Sequence, residues 1–589
     1  QGVAHLTQQK MTMWAYGASL LAGVLHGFSM AWPAFALGDV LGISGQSFGT
    51  LQGLSLACLG ALLLQSASQE SEYTNFTNTR RPNRTGPKAW VKGFKMAGLF
   101  ATAAMTSTWG WLYVSMHQYG GLPSWLACLA VVLLAMALAG YFAFAGGLWV
   151  LLYRRWLLNA RHQEGRYATH PQSFLRKSEF NLVMAGAVLF AALWTLAELA
   201  RGQWFTGFPW GAAGYAHAHS GLAVYAPWVG VYGMGAVAAV LAMALPLMLS
   251  VWMAGRTRAW VSLLAFGVLL AVLVPTALQH WPQSFTQPAG RMKVRLLQGN
   301  IPQDEKFIPG QGVQMALSWY GEQLLSNTEV LVVTPETAIP VLPQQLSPAY
   351  WQTLNHKYQT PSVASGQAMP GQLALVGLPM GGANVGYSNS VLALGPDASK
   401  YRYDKQHLVP FGEFVPPFFQ WFVRMMNMPL GDFAQQPAKA GVLTWQGQRL
   451  LPQICYEDLF GEEVAKYFAN ADQAPTVLVN MSNLAWFGNT TAPAQHAAIS
   501  QLRALEFQRP VIRATNTGLT ALIDDKGVVK ASLPVFTRGA LVGEFEGRTG
   551  LTPYAQWTSQ WGLWPLWLLC GAIVLVLGAF FRRVRSQAI

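Results

Sequence analysis

The sequence predicts a membrane protein in two parts: eight transmembrane helices and, between the seventh and the eighth, an α/β domain with a buried sheet. Three observations carry that expectation. Of 589 residues, 52% are hydrophobic and only 11% charged, well under the roughly 25% charged that is usual in soluble domains. Several apolar runs reach the about 20 residues that a helix needs to cross a bilayer. From residue 282 to 560 the texture changes to short β-rich runs alternating with helical stretches, the pattern of an α/β layer fold.

The apolar runs lie near 12–31, 47–66, 93–117, 123–152, 179–200, 221–252, 258–278 and 561–581. The first follows Lys10 without a small-residue cleavage site, so it is expected to stay as a helix. Basic residues orient the set. Arg80, Arg81, Arg84, Lys88 and Lys92 separate the second and third runs, and Arg154, Arg155, Arg161, Arg166, Arg176 and Lys177 the fourth and fifth. Arg256 and Arg258 follow the sixth, and Arg582, Arg583 and Arg585 the eighth. The other connections carry almost no basic residue apart from Arg201. The basic connections and both termini are therefore expected in the cytoplasm.

This arrangement predicts three segments. Residues 1–281 hold seven helices, 282–560 form a domain on the outer side, and 561–589 give the eighth helix and a cytoplasmic tail. In a Gram-negative bacterium the outer side of the inner membrane is the periplasm. The net charge of +13 agrees with that division. The outer segment holds 19 of 38 basic and 19 of 25 acidic residues, so the whole excess sits beside the membrane. A basic excess placed this way reads as topology and argues against nucleic acid as a partner.

The outer segment contains β-rich runs at Val294–Leu297, Val330–Val333, Leu373–Val376, Ser390–Leu394, Thr476–Val479, Val511–Ala514 and Thr520–Ile523, with a helical stretch at Gln495–Gln508. Asp524-Asp525-Lys526-Gly527 reads as a hairpin turn. The four cysteines, Cys58, Cys128, Cys455 and Cys570, show no CxxC spacing. Three lie in apolar runs, where cysteine packs as a small hydrophobe. Cys455 alone follows a strand-like run, Leu450-Leu451, and precedes two acids. No HExxH or Cys/His cluster suggests a metal, and His217 with His219 is too few ligands. Neither metal nor cofactor is expected.

Three runs each end an apolar strand with a reactive group: Val332-Val333-Thr334-Pro335-Glu336, Tyr403-Asp404-Lys405 and Ile454-Cys455-Tyr456-Glu457. Singly, each has an ordinary explanation as cap, solvated loop or packing. Two polar features near the outer ends of spans are also open. Trp109-Gly110-Trp111-Leu112-Tyr113 and the stretch from Glu198 through Arg201 to Phe208-Pro209-Trp210 suit an aromatic belt, with a lipid head group as the alternative partner of Glu198 and Arg201. Phe411–Met428, apolar and aromatic, is either core packing or an arm dipping into the membrane.

Together, Glu336, Lys405 and Cys455 resemble the catalytic set of the nitrilase superfamily in its chain order. The run from Lys405 to Pro416, with Gln298-Gly299-Asn300-Ile301-Pro302-Gln303, Asn483-Leu484-Ala485-Trp486-Phe487-Gly488, Thr206-Gly207-Phe208-Pro209-Trp210 and Gly550-Leu551-Thr552-Pro553-Tyr554, resembles the apolipoprotein N-acyltransferases more closely. Leu484 stands where that family usually has Asp, and Phe307 where it often has Trp. The resemblance implies an αββα sandwich for the outer domain.

It also implies roles. Cys455 is the nucleophile, Glu336 its general base, and Lys405 the stabiliser of an oxyanion together with the backbone N–H of Tyr456. Glu413 supports the lysine and Glu457 the cysteine loop, while Tyr456, Trp486, Phe307 and Trp210 line or support the substrate path. A thiol of ordinary pKa about 8.5 needs such a base at neutral pH. The implied reaction moves an acyl chain from a phospholipid such as phosphatidylethanolamine, through a thioester, to the amino group of a diacylated apolipoprotein. Both partners are lipid-anchored, and water has to be kept from the thioester. Competing readings are a membrane-tethered amidase or nitrilase, a non-catalytic scaffold and a transporter. A tether needs one helix rather than eight, and intramembrane charges of a transport path are sparse.

Overall fold

The computed structural model describes residues 2–34, 36–72, 86–164, 171–253, 267–268, 284–359, 363–364, 367–368, 371–382, 386–396, 401–414 and 441–586. The chain divides into two compact units: Gln1–Gly110 with Cys128–Pro282 and Leu563–Ile589, and Trp111–Ala127 with Gln283–Gly562.

The first unit is helical, built on Gly2–Phe28, Gly49–Glu72, Gly86–Thr108, Ser124–Glu164, Pro171–Gln203, Ala226–Met253 and Trp564–Ser586. Small residues let these helices approach closely. A Cβ added at Gly23 would fall on the carbonyl of Phe100, and one at Gly146 on the Cβ of Ala97. Among the described residues, four helices are long and apolar enough to cross a membrane, or five if Pro553–Trp561 and Trp564–Ala579 count as one broken span. The expected span near 258–278 lies almost wholly outside the described residues.

Two local expectations change. The third run was expected to extend to residue 117, but its helix ends at Thr108. Past Gly110 the chain enters the other unit as a short helix, Leu112–Val114, and a wider turn, Ser115–Tyr119. There the Trp111 indole N–H donates to Gln495 Oε1 at 3.0 Å. Glu198 and Arg201 are both buried and hold an irregular segment rather than face a head group. Arg201 donates to the carbonyls of Phe208 (2.6 Å) and Trp210 (2.9 Å), and Glu198 accepts from the N–H of Ala213 (2.9 Å). Irregular backbone in apolar surroundings needs such internal partners.

Among the described residues, the second unit has two six-stranded sheets and a small two-stranded one. In spatial order the first runs Gly539–Thr549, Gln287–Gln298, Leu331–Val333, Leu373–Gly382, Gly386–Leu394, Arg402–Asp404; the second runs Val529–Ser532, Ala521–Ile523, Val511–Thr515, Val477–Ser482, Gln448–Ile454, Leu443–Trp445. Leu331–Val333 is parallel to both its neighbours, and so is Val477–Ser482. Such strands are buried on both faces and therefore read as continuous apolar runs.

Alternation along each strand sorts the side chains into layers. Leu331, Val333, Leu373 and Leu375 pack with Leu450, Ile454, Val477, Val479 and Met481 between the sheets. Val332, Ala374 and Val376 face outward onto the helices Gly312–Leu325 and Pro348–Gln359. On the opposite side, Leu451, Leu478 and Val511 meet Ala504 and Phe507 of the helix Ala492–Phe507. The result is the helix–sheet–sheet–helix sandwich that the resemblance implied. Asp524 and Gly527 form the expected hairpin turn, with Gly527 at φ 74°.

Candidate active site

The parallel pairing decides where the reactive groups go. Strands Leu331–Val333, Gln448–Ile454 and Val477–Ser482 end just before Glu336, Cys455 and Asn483. Open α/β sheets bind ligands beyond such carboxyl ends. Lys405 follows Arg402–Asp404, whose N–H accordingly pairs with the next strand, donating to Asn389 O at 2.8 Å.

Glu336 is almost fully buried, and both its oxygens are used. Oε1 accepts from Asn389 Nδ2 at 2.5 Å and from Lys405 Nζ at 3.3 Å, while Oε2 accepts from the N–H of Asn483 at 2.8 Å. Lys405, also buried, donates to Glu413 Oε1 at 2.9 Å. The second oxygen of Glu413 accepts from the N–H of Val409 at 2.8 Å, so this acid fixes the lysine and its own loop together. Burial disfavours the charge on Lys405, but Glu336 and Glu413 outweigh it and hold the ammonium above its ordinary range.

Cys455 occupies the first position after its strand with φ 52°, a left-handed conformation that costs a non-glycine residue about 1 kcal/mol or more. Its thiol is buried. Burial pushes its pKa well up; the charges of Glu336, Glu413 and Asp458 add to that, and Lys405 opposes it. Such a thiol becomes a nucleophile only by handing its proton to a neighbouring base.

Glu457 ties the cysteine loop to the lysine loop. Oε1 accepts from the N–H of Gln406 (2.6 Å) and His407 (3.3 Å), and Oε2 from the N–H of Ile454 (2.6 Å). Tyr403 O–H lies 3.0 Å from both oxygens. Burial nevertheless raises this carboxyl to about 7. The Tyr456 ring packs edge-on against Phe460, 5.2 Å between centroids. Trp486 is half-buried and stands edge-on to Tyr119 at 5.7 Å. Phe307 is half exposed, its ring 5.7 Å from the Lys306 ammonium. Leu484 is fully buried between the sheets, an apolar site that has no use for a carboxylate. Trp210 lies in the helical unit, where its carbonyl also accepts from the Trp109 indole N–H at 3.0 Å.

Three further groups contact Glu336 that the sequence did not single out. Asn389 bridges Glu336 and Glu413, and its signal was the polar Ser388-Asn389-Ser390 inside an apolar strand. The Asn483 N–H is a backbone group with no residue-level signature. Lys306 is fully buried and donates to Thr337 Oγ1 at 2.7 Å and to the carbonyl of Glu336 at 3.3 Å, bracing a turn in which Thr337 has φ 46°. Burial lowers its pKa to about 8, against the pull of Glu336 and Cys455. Phe411–Phe414 follows Lys405, but the remainder of the proposed arm, 415–428, lies outside the described residues.

Two family models match the chain: the apolipoprotein N-acyltransferase N-terminal domain over residues 83–244 and carbon-nitrogen hydrolase over residues 293–554. An apolipoprotein N-acyltransferase from Verminephrobacter eiseniae is 45% identical over 566 residues, covering 93% of this chain and 94% of the relative. One from Ralstonia nicotianae is 41% identical, covering 91% and 90%. Among solved structures, a CN-hydrolase superfamily protein from Xanthomonas campestris is similar at 17% identity and a TM-score of 0.32, over 43% of this chain and 90% of that one. Matched by these two relatives across at least 90% of its own length and of theirs, the chain belongs to the apolipoprotein N-acyltransferase family.

Proposed function

We propose that the protein moves an acyl chain from the sn-1 position of phosphatidylethanolamine, through a thioester on Cys455, to the α-amino group of the S-diacylglyceryl cysteine of an apolipoprotein. The observation that carries this reading is the meeting of a carboxylate and an ammonium, 3.3 Å apart, in the electrostatic reach of a buried thiol, in a chain of this family.

The thiol proton passes to Glu336, and the thiolate adds to the ester carbonyl. Charge on the carbonyl oxygen is met by Lys405 and the N–H of Tyr456, fixed donors of the kind that lower such barriers most. The C–O bond breaks, and the departing lysophospholipid oxygen takes the proton back from Glu336. In the second half the amine attacks the thioester and loses a proton to Glu336. The C–S bond then breaks, and the thiolate is reprotonated. Glu413 and Glu457 position the groups, Trp486 and Phe307 are aromatic surfaces available to substrate, and Tyr456, buried against Phe460, supports the loop.

The accompanying topology has eight spans in a bacterial inner membrane, both termini cytoplasmic, and residues 282–560 as a periplasmic catalytic domain; the basic connections support it. Incubating purified protein with phosphatidylethanolamine labelled in the sn-1 chain tests the chemistry. Lysophospholipid is expected in step with a hydroxylamine-labile label on Cys455, absent from Cys455→Ala. Ammonia released from an amide or nitrile with no labelled enzyme would establish a hydrolase instead.

A further inference from the structure

Beneath the nucleophile lies a buried polar cluster that the proposed mechanism does not use. His496, on the helix Ala492–Phe507, and Arg513, on the central strand Val511–Thr515, are fully buried, as are Ser500 and Asp458. Arg513 Nη2 is 2.9 Å from His496 Nδ1, and its Nη1 donates to the His496 carbonyl at 3.2 Å. Arg513 also donates to Ser500 Oγ, which in turn donates to Asp458 Oδ2 at 2.6 Å. Burial alone would raise the Asp458 carboxyl, but His496 and Arg513 outweigh it and hold it below its ordinary range.

A guanidinium has donors only. Nδ1 of His496 is therefore an acceptor, and the ring proton of the neutral imidazole sits on Nε2. That nitrogen lies 3.3 Å from the carbonyl oxygen of Cys455 and 3.2 Å from Asp458 Oδ1. Asn480 Nδ2 approaches the same carbonyl at 3.4 Å. Two buried donors thus converge on one oxygen of the cysteine's own peptide.

The peptide from Cys455 to Tyr456 is planar and trans, so its carbonyl and its N–H point in opposite directions. With the carbonyl drawn into the buried cluster, the Tyr456 N–H points away from it. Hydrogen bonding at the carbonyl polarises the same unit and strengthens its N–H as a donor. Ion pairs buried this deeply add little stability over an apolar replacement, which leaves fold maintenance a poor reason for the cluster.

We propose that His496, fixed as the Nε2–H tautomer by Arg513, is a positioning residue that aims and polarises the Tyr456 N–H as oxyanion donor. This rests on the reading of Cys455 as an acyl-accepting nucleophile. Two reactions of the same thiol separate the possibilities. Acylation by phosphatidylethanolamine builds an oxyanion, whereas alkylation by iodoacetamide does not.

In the full-length protein, His496→Leu is expected to slow single-turnover acylation by about tenfold or more while leaving the alkylation rate of Cys455 within about twofold. His496→Gln, whose amide can accept from Arg513 and donate to Cys455, is expected to recover most of the acylation. Asn480→Ala leaves the Arg513–Asp458 pair intact and should shift the same ratio in the same direction, which keeps the test available if His496→Leu does not fold. Parallel slowing of both reactions, or undiminished acylation, overturns the proposal. A wild-type protein that is alkylated but never acylated overturns the acyl-transfer reading and this inference with it.

Discussion

Cys455 illustrates how far one side chain depends on its neighbours. Buried, and facing the charges of Glu336, Glu413 and Asp458, its thiol is held protonated well beyond the ordinary range. Glu336→Gln removes the only carboxylate proposed to take that proton. Single-turnover release of lysophospholipid should then fall by about 10² to 10⁴; an unchanged rate would assign the base elsewhere. Glu457 makes a separate prediction about pH. Its carboxyl is raised from 4.5 to about 7 by burial, so between those values the folded protein holds a proton that the unfolded chain has released. Stability attributable to this group is full below 4.5 and falls as pH rises toward 7. Denaturant melts of the detergent-solubilised protein across that window should show a decline that Glu457→Gln reduces. Glu336, Lys405 and Cys455 stood out in the sequence only together, through their resemblance to the nitrilase set, and folding brings Glu336 and Lys405 to 3.3 Å. Lys306 and His496 did not stand out, since a lone Lys or His carries no mark of the partner that folding brings to it, and the only trace of Asn389 was its polar neighbours in an apolar strand.

The elements position these groups through close backbone contacts. At Gly377, on the strand Leu373–Gly382, an added Cβ would meet the Pro335 carbonyl and lie 3.0 Å from the N–H of Thr337 and 3.1 Å from Glu336 Cα. Gly377→Ala touches no reactive group, yet it presses directly on the turn that carries Glu336, the proposed base. Catalytic geometry tolerates little displacement, so acylation should fall by about tenfold or more in a protein that still gives a cooperative melt. A fully active variant would show that the turn can shift freely. The central strands were legible as apolar runs because they are buried on both faces. The edge strand Gly539–Thr549 was not, because Glu544 and Glu546 interrupt it on the side where Arg291 pairs with them. The end of the third span was misplaced for a related reason: Trp111 and Tyr113 are as apolar as a membrane helix, but Trp111 is held by Gln495 and packs on Phe487, 4.3 Å between ring centroids.

At the scale of the whole molecule, the uneven charge predicts sidedness. A cysteine at Lys526, on the exposed hairpin of the second unit, should react with a membrane-impermeant maleimide added from the periplasmic side, and a cysteine at Ser586 should react only after the membrane is opened. Reversed labelling would overturn the proposed topology. Passage of one acyl chain through Cys455 between two lipid-anchored partners is proposed above, and a chase experiment can follow it. Enzyme loaded with a labelled chain is separated from phospholipid and mixed with a diacylglyceryl-cysteine peptide. Label is expected to leave Cys455 and appear as an amide on the peptide's α-amino group, in equal amount. Label that stays on the enzyme, or leaves as free fatty acid whether or not the peptide is present, would contradict the proposed transfer.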